Sequence, residues 1–266
     1  IFIDVRLLGR GAQSGIEEYT FQAVSHLLRA GGEHRFTLFY AGVRKKPLPA
    51  PWRSFTGPKE WTRRTNVRVI DWRVPNRILD ALAHLFKWPD IPARVGADIV
   101  FSPHFNILAT RVPRVITFHD LSFLRYPRFF SARQRLWHWM QRYRAQAAGA
   151  AAIVVNSQFS ASDVHGLLGV PREKIHLIYP GINPLFKPIA PNDAQLAQFK
   201  DRHCIAFPYL LALGTIEPRK NIPLVVRAFT ALKRDPRHAS LRLIIAGRRG
   251  WLYGETELRD LYLEGR

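Results

Sequence analysis

The sequence predicts an α/β protein built on parallel, doubly wound sheets, and three observations lead to this prediction. Short apolar runs of strand length alternate with longer segments whose apolar residues recur at helical spacing. A glycine-rich loop at 9–15 joins the first strand to the first helix, as in many nucleotide-binding folds. A second strand and helix series starts at Tyr209, so we expect two domains.

The first series occupies residues 1–179, and its strands consist mostly of apolar residues, as is typical of buried parallel strands. The predicted strands are 1–5, 36–40, 67–70, 97–101, 112–118, 151–155 and 175–178. The predicted helices are 16–30, 78–87, 131–148 and 157–168, and 43–65 is predicted to be a long loop. Ser157 caps the last of these helices and Gly169 ends it.

A segment rich in proline and glycine begins at Tyr179 and predicts a domain boundary. The expected organisation is a first domain over 1–179, a linker over 180–208 and a second domain over 209–266. The second series comprises strand 209–213, helix 219–234 and strand 241–246. Two strands are too few for a sheet covered on both faces, and Ile1 lies inside a strand without a preceding Met. We therefore expect a fragment whose second domain is incomplete.

The composition is that of an ordinary globular protein except for its charge. The hydrophobic share is 47%, and no apolar run approaches the roughly 18 residues of a membrane span, which predicts a soluble, cytoplasmic protein. The single cysteine excludes an internal disulfide framework. The net charge of +20 is spread along the chain and fits a surface for anionic lipids, nucleic-acid binding or simple solubility.

The turn after strand 209–213 predicts an anion site. The strand ends at Gly214, Pro218 favours the start of a helix, and Arg219 and Lys220 fall in its first turn. Two cations at the positive end of a helix dipole suit a phosphate or a pyrophosphate. A solvated helix start without a ligand is the alternative.

His119 and Asp120 follow strand 112–118 at its carboxyl end, where open α/β sheets present reactive groups. His119 is a candidate hydrogen-bond donor to a sugar hydroxyl or a phosphate, and Asp120 either fixes its ring or braces the loop. A purely structural histidine is the alternative.

The glycine-rich loop offers backbone amides to a diphosphate, but its spacing is not the dinucleotide fingerprint. Glycines stand at 9, 11 and 15, whereas G-x-G-x-x-G requires the third at position 14, where Ser14 stands. NAD binding is therefore disfavoured, and a plain tight turn stays an alternative. The sequence has no H-x-x-x-H pair and no D-x-D segment, so we expect neither a metal nor a cofactor.

Helix 131–148 carries a basic and aromatic face. Its apolar stripe contains Leu136, Met140, Tyr143 and Ala147, and we expect this stripe to pack inward. The residues expected to point away from it are Arg133, Trp137 and Arg144, and Phe129 and Phe130 precede the helix. That outer face suits either a membrane surface or simple solvation.

Six motifs in register resemble the retaining GT-B glycosyltransferases of family four, particularly the bacterial mannosyltransferase-like members that build surface polysaccharides such as lipopolysaccharide. The resemblance covers nearly the whole chain. The motifs are Ser14-Gly-Ile-Glu-Glu-Tyr19, Thr117-Phe-His-Asp-Leu-Ser122, Val155-Asn-Ser-Gln-Phe-Ser160, Ile178-Tyr-Pro-Gly-Ile-Asn183, Gly214-Thr-Ile-Glu-Pro-Arg-Lys-Asn221 and Ala246-Gly-Arg-Arg-Gly-Trp-Leu252.

The resemblance implies two Rossmann-like domains facing a cleft, with the nucleotide-sugar donor mainly on the second and the acceptor mainly on the first. It implies that Gly15 approaches the donor phosphate, that His119 contacts the sugar near the reacting carbon, and that Arg219 and Lys220 hold the diphosphate. The same motifs add Gly214 to the diphosphate site, and Ser14, Thr215 and Gly247 are further candidates. The resemblance also implies that the acceptor attacks from the leaving-group face and that a phosphate oxygen takes its proton.

Two positions depart from the family pattern. Ser14 replaces the first glycine of the usual pair, and Thr215 stands where some relatives carry another arginine. Family members also carry two glutamates seven residues apart that hold the donor, and we expect these beyond Arg266. The 266-residue chain is therefore expected to be inactive alone.

The function predicted from the sequence is the transfer of a hexose, for example mannose, from a GDP- or UDP-sugar to a lipid-linked or polysaccharide acceptor. The basic surplus would then serve the anionic inner leaflet of the membrane. A nucleotide-sugar epimerase of GT-B type is an alternative that needs acid-base carboxylates, and a nucleic-acid-binding protein is a less favoured alternative based on charge alone.

Overall fold

A computed structural model describes residues 1–10, 14–43, 65–182 and 186–250. Gly11 of the glycine-rich loop and most of the predicted loop 43–65 lie outside the described residues. The chain divides into two compact units. The first comprises residues 1–125 and 133–181, and the second comprises residues 126–132 and the chain from residue 182 onward.

The first unit is built on a sheet of seven parallel strands in the order β3-β2-β1-β4-β5-β6-β7. The strands are β1 (Phe2–Asp4), β2 (Phe36–Ala41), β3 (Val67–Trp72), β4 (Val100–Ser102), β5 (Arg114–Phe118), β6 (Ala152–Val155) and β7 (Ile175–Leu177). The predicted doubly wound parallel sheet is therefore confirmed. Its strand order reverses between β1 and β4, and sheets of this kind bind ligands at the carboxyl ends of the strands beside that point.

The helices of this unit are α1 (Gly15–Ala30), α2 (Asn76–Phe86), α3 (Ile91–Arg94), α4 (Ser122–Arg125), α5 (Ala132–Met140), α6 (Tyr143–Gly149) and α7 (Gln158–Leu168). Alternate strand residues pack into two separate cores. Ile3 and Leu38 belong to one core, whereas Phe2 and Phe39 belong to the other, because successive strand side chains point to opposite faces. The caps predicted for α7 are confirmed, since Ser157 accepts from the amide of Ser160 and Gly169 ends the helix at φ 70°.

The long helix predicted over 131–148 is two helices. Arg142 has φ 49°, in the left-handed region, and separates α5 from α6. The predicted inner stripe is wrong at Leu136, which is 57% exposed. Trp137, expected to point outward, instead stacks on His104 with ring centroids 6.1 Å apart. Because the helix is interrupted at Arg142, one continuous helical periodicity over 131–148 does not predict which side chains of α5 and α6 face inward.

The second unit contains α8 (Ala194–Arg202), β8 (Tyr209–Leu213), α9 (Ile222–Leu232) and β9 (Arg242–Ala246). Strands β8 and β9 pair in parallel, and Ile222, Val226 and Phe229 of α9 are buried. The segment 180–208, predicted as a linker, contains α8. Leu213 of β8, predicted to be buried, is 78% exposed, because β8 pairs with β9 alone within the described part of the chain.

The helix predicted to start at Arg219 begins later. Residues Pro218–Lys220 form a separate 3-10 turn, and Asn221, with φ 47°, lies between this turn and α9. Arg219 and Lys220 therefore stand before the helix and not in its first turn. Among the described helices, none is long and apolar enough to span a membrane.

Candidate functional site

The start of α1 is fixed by Ser14 and Glu17. The Ser14 hydroxyl oxygen accepts from the amide of Ile16 at 3.3 Å, and the hydroxyl donates to the carboxylate of the buried Glu17. Ser14 thus caps the helix through the amide of Ile16, and its side-chain bond to Glu17 fixes the orientation of the hydroxyl. Glu17 thus holds the side chain of Ser14 at the start of α1, a role that sequence analysis did not assign.

Gly15 is the first residue of α1 and is exposed. A Cβ placed on it would meet no atom within 4 Å. Amides at a helix N-terminus attract anions, and the absence of a side chain lets a ligand approach the backbone. The space at Gly15 is therefore suited to a phosphate group.

The ring of His119 is held at the carboxyl end of β5. Its Nε2 lies 2.9 Å from the carbonyl oxygen of Pro103, so Nε2–H donates to that oxygen. The ring of Tyr19 packs edge-on against it with centroids 4.8 Å apart, and the Tyr19 hydroxyl lies 3.3 Å from Thr117 Oγ1. The Ser160 hydroxyl donates to the His119 backbone carbonyl at 2.9 Å.

Burial lowers the pKa of His119 below its ordinary value, although the nearby charges of Asp120 and Glu17 act in the opposite direction. A neutral ring that donates through Nε2 presents Nδ1 as an acceptor. The sequence predicts a hydrogen-bond donor at this position, whereas the geometry favours an acceptor. A sugar hydroxyl satisfies such an acceptor, because it can donate.

Asp120 is exposed and braces the loop, which is one of the two roles predicted for it. Its Oδ1 accepts from the amide of Ser122 at 3.0 Å and from the Ser122 hydroxyl at 2.7 Å. These bonds fix the start of α4. Asp120 therefore fixes the conformation of the loop immediately after His119.

A buried arginine supports the same loop region from β5. Arg114 donates from Nε to Ser102 Oγ at 2.8 Å, from Nη2 to the Asn106 carbonyl at 2.6 Å, and from Nη1 to Gln146 Oε1 at 2.5 Å. Burial lowers the pKa of Arg114 to about 10. All three groups that accept from Arg114 are neutral oxygens. Hydrogen bonds to them therefore offset the free-energy cost of burying the guanidinium charge.

A second buried arginine lies between two carboxylates. Arg6 donates from Nη2 to Asp4 at 2.8 Å and from Nη1 to Asp80 at 3.2 Å, and its Nη2 also reaches the Ile107 carbonyl at 2.8 Å. Burial opposes its charge, but the carboxylates of Asp4 and Asp80 raise the pKa of Arg6. Gln141 accepts from the Ile107 amide at 2.7 Å. The chain from Pro103 to Ile107 is therefore fixed by buried polar side chains.

In the second unit, two glycine residues follow the paired strands. Gly214 and Gly247 have φ values of 151° and 155°, which other residues rarely adopt. A Cβ placed on Gly247 would lie 1.8 Å from the Gly214 carbonyl oxygen. Thr215 is half-buried, with its methyl group beside Gly250. The backbone segments that follow β8 and β9 therefore lie close to each other.

Two cations stand beside this backbone. The Lys220 side chain is exposed and passes Gly214, with its Cε 3.8 Å from a Cβ placed on that glycine. Arg219 donates from Nε at 3.0 Å and from Nη2 at 2.7 Å to Oε1 of Glu217. The Glu217 side chain is 2% exposed, whereas that of Arg219 is 36% exposed. Glu217 thus orients the guanidinium, and sequence analysis did not identify it.

Arg219 and Lys220 were predicted to lie at the positive end of a helix dipole, but the 3-10 turn that contains them precedes α9. Any attraction of these side chains for an anion would therefore come from their own charges. A bound metal ion is another way in which a protein can hold a diphosphate. Within the described ranges, no group of three or more His, Cys, Asp or Glu side chains could hold a metal ion.

The model of glycosyltransferase family 4 matches residues 13–185. Among curated proteins, O-antigen chain mannosyltransferase B of Escherichia coli is 28% identical over 154 residues, which is 58% of this chain and 39% of that protein. The chain thus matches well under half of the length of this relative.

Solved structures show the same fold. Anabaena HepE in complex with UDP and glucose aligns with a TM-score of 0.57 at 16% identity, covering 99% of this chain and 64% of HepE. A glycosyltransferase from Rickettsia africae aligns with a TM-score of 0.56 at 17% identity, covering 99% of this chain and 63% of that chain. These neighbours confirm the predicted α/β fold class of the GT-B glycosyltransferases.

Proposed function

The chain belongs to glycosyltransferase family 4, and on that premise we propose that it transfers a hexose from a nucleotide-diphosphate sugar to a lipid-linked or polysaccharide acceptor. Mannose is the proposed hexose, because the similar E. coli protein is named as an O-antigen chain mannosyltransferase. The nucleotide is GDP or UDP, and structural neighbours in complex with UDP and UDP-glucose support a donor of this class.

The observation that carries the proposal is the turn from Gly214 to Lys220. Lys220 passes along a glycine backbone at the end of β8, and Glu217 fixes the plane of the Arg219 guanidinium. A diphosphate gains negative charge as its bond to the sugar breaks, and prearranged cations stabilise that charge. We assign Arg219 and Lys220 this role, which makes a metal ion unnecessary.

We assign two residues of the first unit to the donor and its sugar. We assign Gly15 to a donor phosphate, because its exposed backbone has open space around it. We assign His119 to a hydroxyl of the transferred sugar near the reacting carbon, with Nδ1 as the acceptor. Asp120 positions His119 by bracing the loop. Ser14, Thr215, Gly214 and Gly247 are assigned to shaping the phosphate-binding backbone.

The reaction proceeds with retention. The acceptor hydroxyl oxygen attacks the anomeric carbon from the face on which the diphosphate leaves. The bond between the anomeric carbon and the phosphate oxygen breaks, and that oxygen keeps the electron pair and takes the acceptor proton. No protein nucleophile is needed, and the new glycosidic bond keeps the original configuration. We place this activity in the cytoplasm at the inner face of the membrane.

The direct test is incubation of a full-length clone with radiolabelled GDP- and UDP-sugars and a lipid extract, because the 266-residue chain alone is expected to be inactive. We expect label transfer from GDP-mannose, loss of transfer in Lys220→Ala, and normal transfer in Lys187→Ala, which removes an exposed lysine of the same unit. Transfer from no donor would contradict the proposal. NMR of the product tests retention, because an inverted anomeric configuration would contradict the mechanism.

A further inference from the structure

Exposed apolar and basic side chains gather where the C-terminal end of α2 meets α5. We propose that this surface docks the protein onto a bilayer that contains anionic lipids. The surface is called the α2–α5 patch, and its members are Leu85, Phe86, Lys87, Trp88, Leu136, Trp139 and Arg142.

The two helix ends are held together through His84. Its Nδ1 donates to the Met140 carbonyl at 2.8 Å, and its ring packs on Trp139 with centroids 5.1 Å apart. Arg142 donates from Nη1 to the His84 carbonyl at 3.2 Å. The residues that follow His84 and those that flank Trp139 therefore form one continuous surface.

The apolar members of the patch are unusually exposed. Leu85 and Phe86 are each 69% exposed, and Trp139 is 64% exposed. Leu136, one turn before Trp139 on the same helix face, is 57% exposed, and Trp88 is 48% exposed. Single exposed apolar side chains are ordinary, but five large ones on two adjoining helix ends mark an interaction surface.

The two segments that carry the patch are strongly basic. The segments 76–94 and 131–150 contain two carboxylates, Asp80 and Asp90. Asp80 is buried against Arg6, and Asp90 caps α3 and pairs with Arg111. The basic residues of these segments are Arg77, Lys87, Arg94, Arg133, Arg135, Arg142 and Arg144. Cations that surround aromatic and aliphatic side chains complement anionic head groups above an apolar layer.

Both aliphatic and aromatic side chains are exposed, and this favours a bilayer over a nucleic acid. In a bilayer, tryptophan can lie at the membrane–water interface and leucine can enter the acyl-chain region. Leu85 and Leu136 could neither stack on a nucleic-acid base nor form a hydrogen bond with it. The α2–α5 patch differs from the face expected from the sequence, because Trp137 packs against His104 instead of facing outward.

Vesicle sedimentation at low salt tests the inference. The protein should bind vesicles of phosphatidylglycerol and phosphatidylcholine and should not bind phosphatidylcholine alone. Phe86→Ser with Trp139→Ser should lower the partition constant by about tenfold or more. Lys87→Ser should lower it about fivefold, since each cation near an anionic surface contributes about 1 kcal/mol. Matched exposed controls, Phe159→Ser on α7 and Arg172→Ser, should bind like the unmodified protein.

Unchanged binding by the Phe86→Ser, Trp139→Ser protein would overturn the inference, as would absence of binding to anionic vesicles. Selective loss of oligonucleotide binding in this variant, with vesicle binding retained, would also overturn it. Thermal melting of each variant shows whether the fold is intact. If the double variant is unfolded, the single Lys87→Ser variant is used to test the inference instead. Binding is measured without donor or acceptor, so the result is independent of the proposed transferase activity.

Discussion

Nε2 of His119 lies 2.9 Å from the carbonyl oxygen of Pro103, so the loop after β4 sets the orientation of the candidate catalytic histidine. Arg114 fixes the same loop through the Asn106 carbonyl. A buried cation that contacts no substrate in the proposed reaction therefore positions His119 through two backbone carbonyls. The protonation state of the histidine and the anchoring of the loop can be tested separately.

His119 should be neutral at neutral pH, because burial lowers its pKa below the ordinary 6.5. The unfolded chain then binds this proton more tightly than the folded protein does. The contribution of His119 to the free energy of unfolding is complete above about pH 6.5. It is lost as the pH falls from there through the pKa that His119 has in the folded protein. An NMR titration of the ring should give a midpoint below 6.5.

A midpoint at or above that value would contradict the burial argument. Burial also lowers the pKa of His138, so His138→Asn is the matched variant. The midpoint of thermal unfolding should depend less steeply on pH in His119→Asn and in His138→Asn than in the unmodified protein as the pH falls below about 6.5.

Replacing Arg114 by Ala should lower the free energy of unfolding by about 3 kcal/mol or more, because it leaves Ser102, Gln146 and the Asn106 carbonyl without their partner. Urea unfolding measures this loss. The control is Arg111→Ala, whose side chain is 86% exposed and whose ion pair with Asp90 should contribute about 0.5 kcal/mol or less. Equal losses in the two variants would refute a structural role for Arg114.

The sequence predicts the residues that directly follow strands, because parallel strands place their carboxyl ends at one edge of a sheet. His119 and Gly214 were identified in this way. Buried polar supports were not identified, since their partners are distant in sequence. Arg6 reaches Asp80, 74 residues away, and no local pattern announces that pairing.

Helix phase was predicted less well than helix existence. The periodicity of 131–148 is helical throughout, but a left-handed residue at Arg142 divides it and changes which side chains face inward. Asn221 similarly delays the start of α9 beyond the predicted position. Single residues with positive φ are hard to anticipate when they are not glycine, because tertiary packing selects them.

Gly15→Ala should separate binding from folding. Because a Cβ at this position meets no atom within 4 Å, the variant should melt within about 2 °C of the unmodified protein. If a donor phosphate approaches the backbone here, the added methyl group should raise the Michaelis constant of the full-length enzyme for the donor about tenfold. The control is Gly166→Ala on α7, where a Cβ also meets nothing. Normal donor kinetics in Gly15→Ala would remove this glycine from the proposed site.

Glu217→Gln should weaken nucleotide binding although Glu217 itself would repel a phosphate. The buried carboxylate orients Arg219, and the neutral amide cannot hold the guanidinium as firmly. We expect the affinity for GDP or UDP, measured by calorimetry, to fall about tenfold. Asp235→Asn is the matched control, because Asp235 forms the same type of pair with Arg237 two residues later and its side chain is 33% exposed, against 2% for Glu217. Tighter nucleotide binding in Glu217→Gln would show that repulsion outweighs positioning.

Gly247→Ala should disrupt the end of the β8–β9 pair. A Cβ there would lie 1.8 Å from the Gly214 carbonyl oxygen, and the φ of 155° is itself unfavourable for alanine. Because the clash is with backbone, no side-chain rotation relieves it, and we expect a destabilisation of about 3 kcal/mol. Gly181→Ala, where a Cβ meets nothing within 4 Å, should unfold like the unmodified protein. Since Gly214 also borders Lys220, nucleotide-induced thermal stabilisation should disappear in Gly247→Ala, and its persistence would show that the diphosphate does not depend on this backbone geometry.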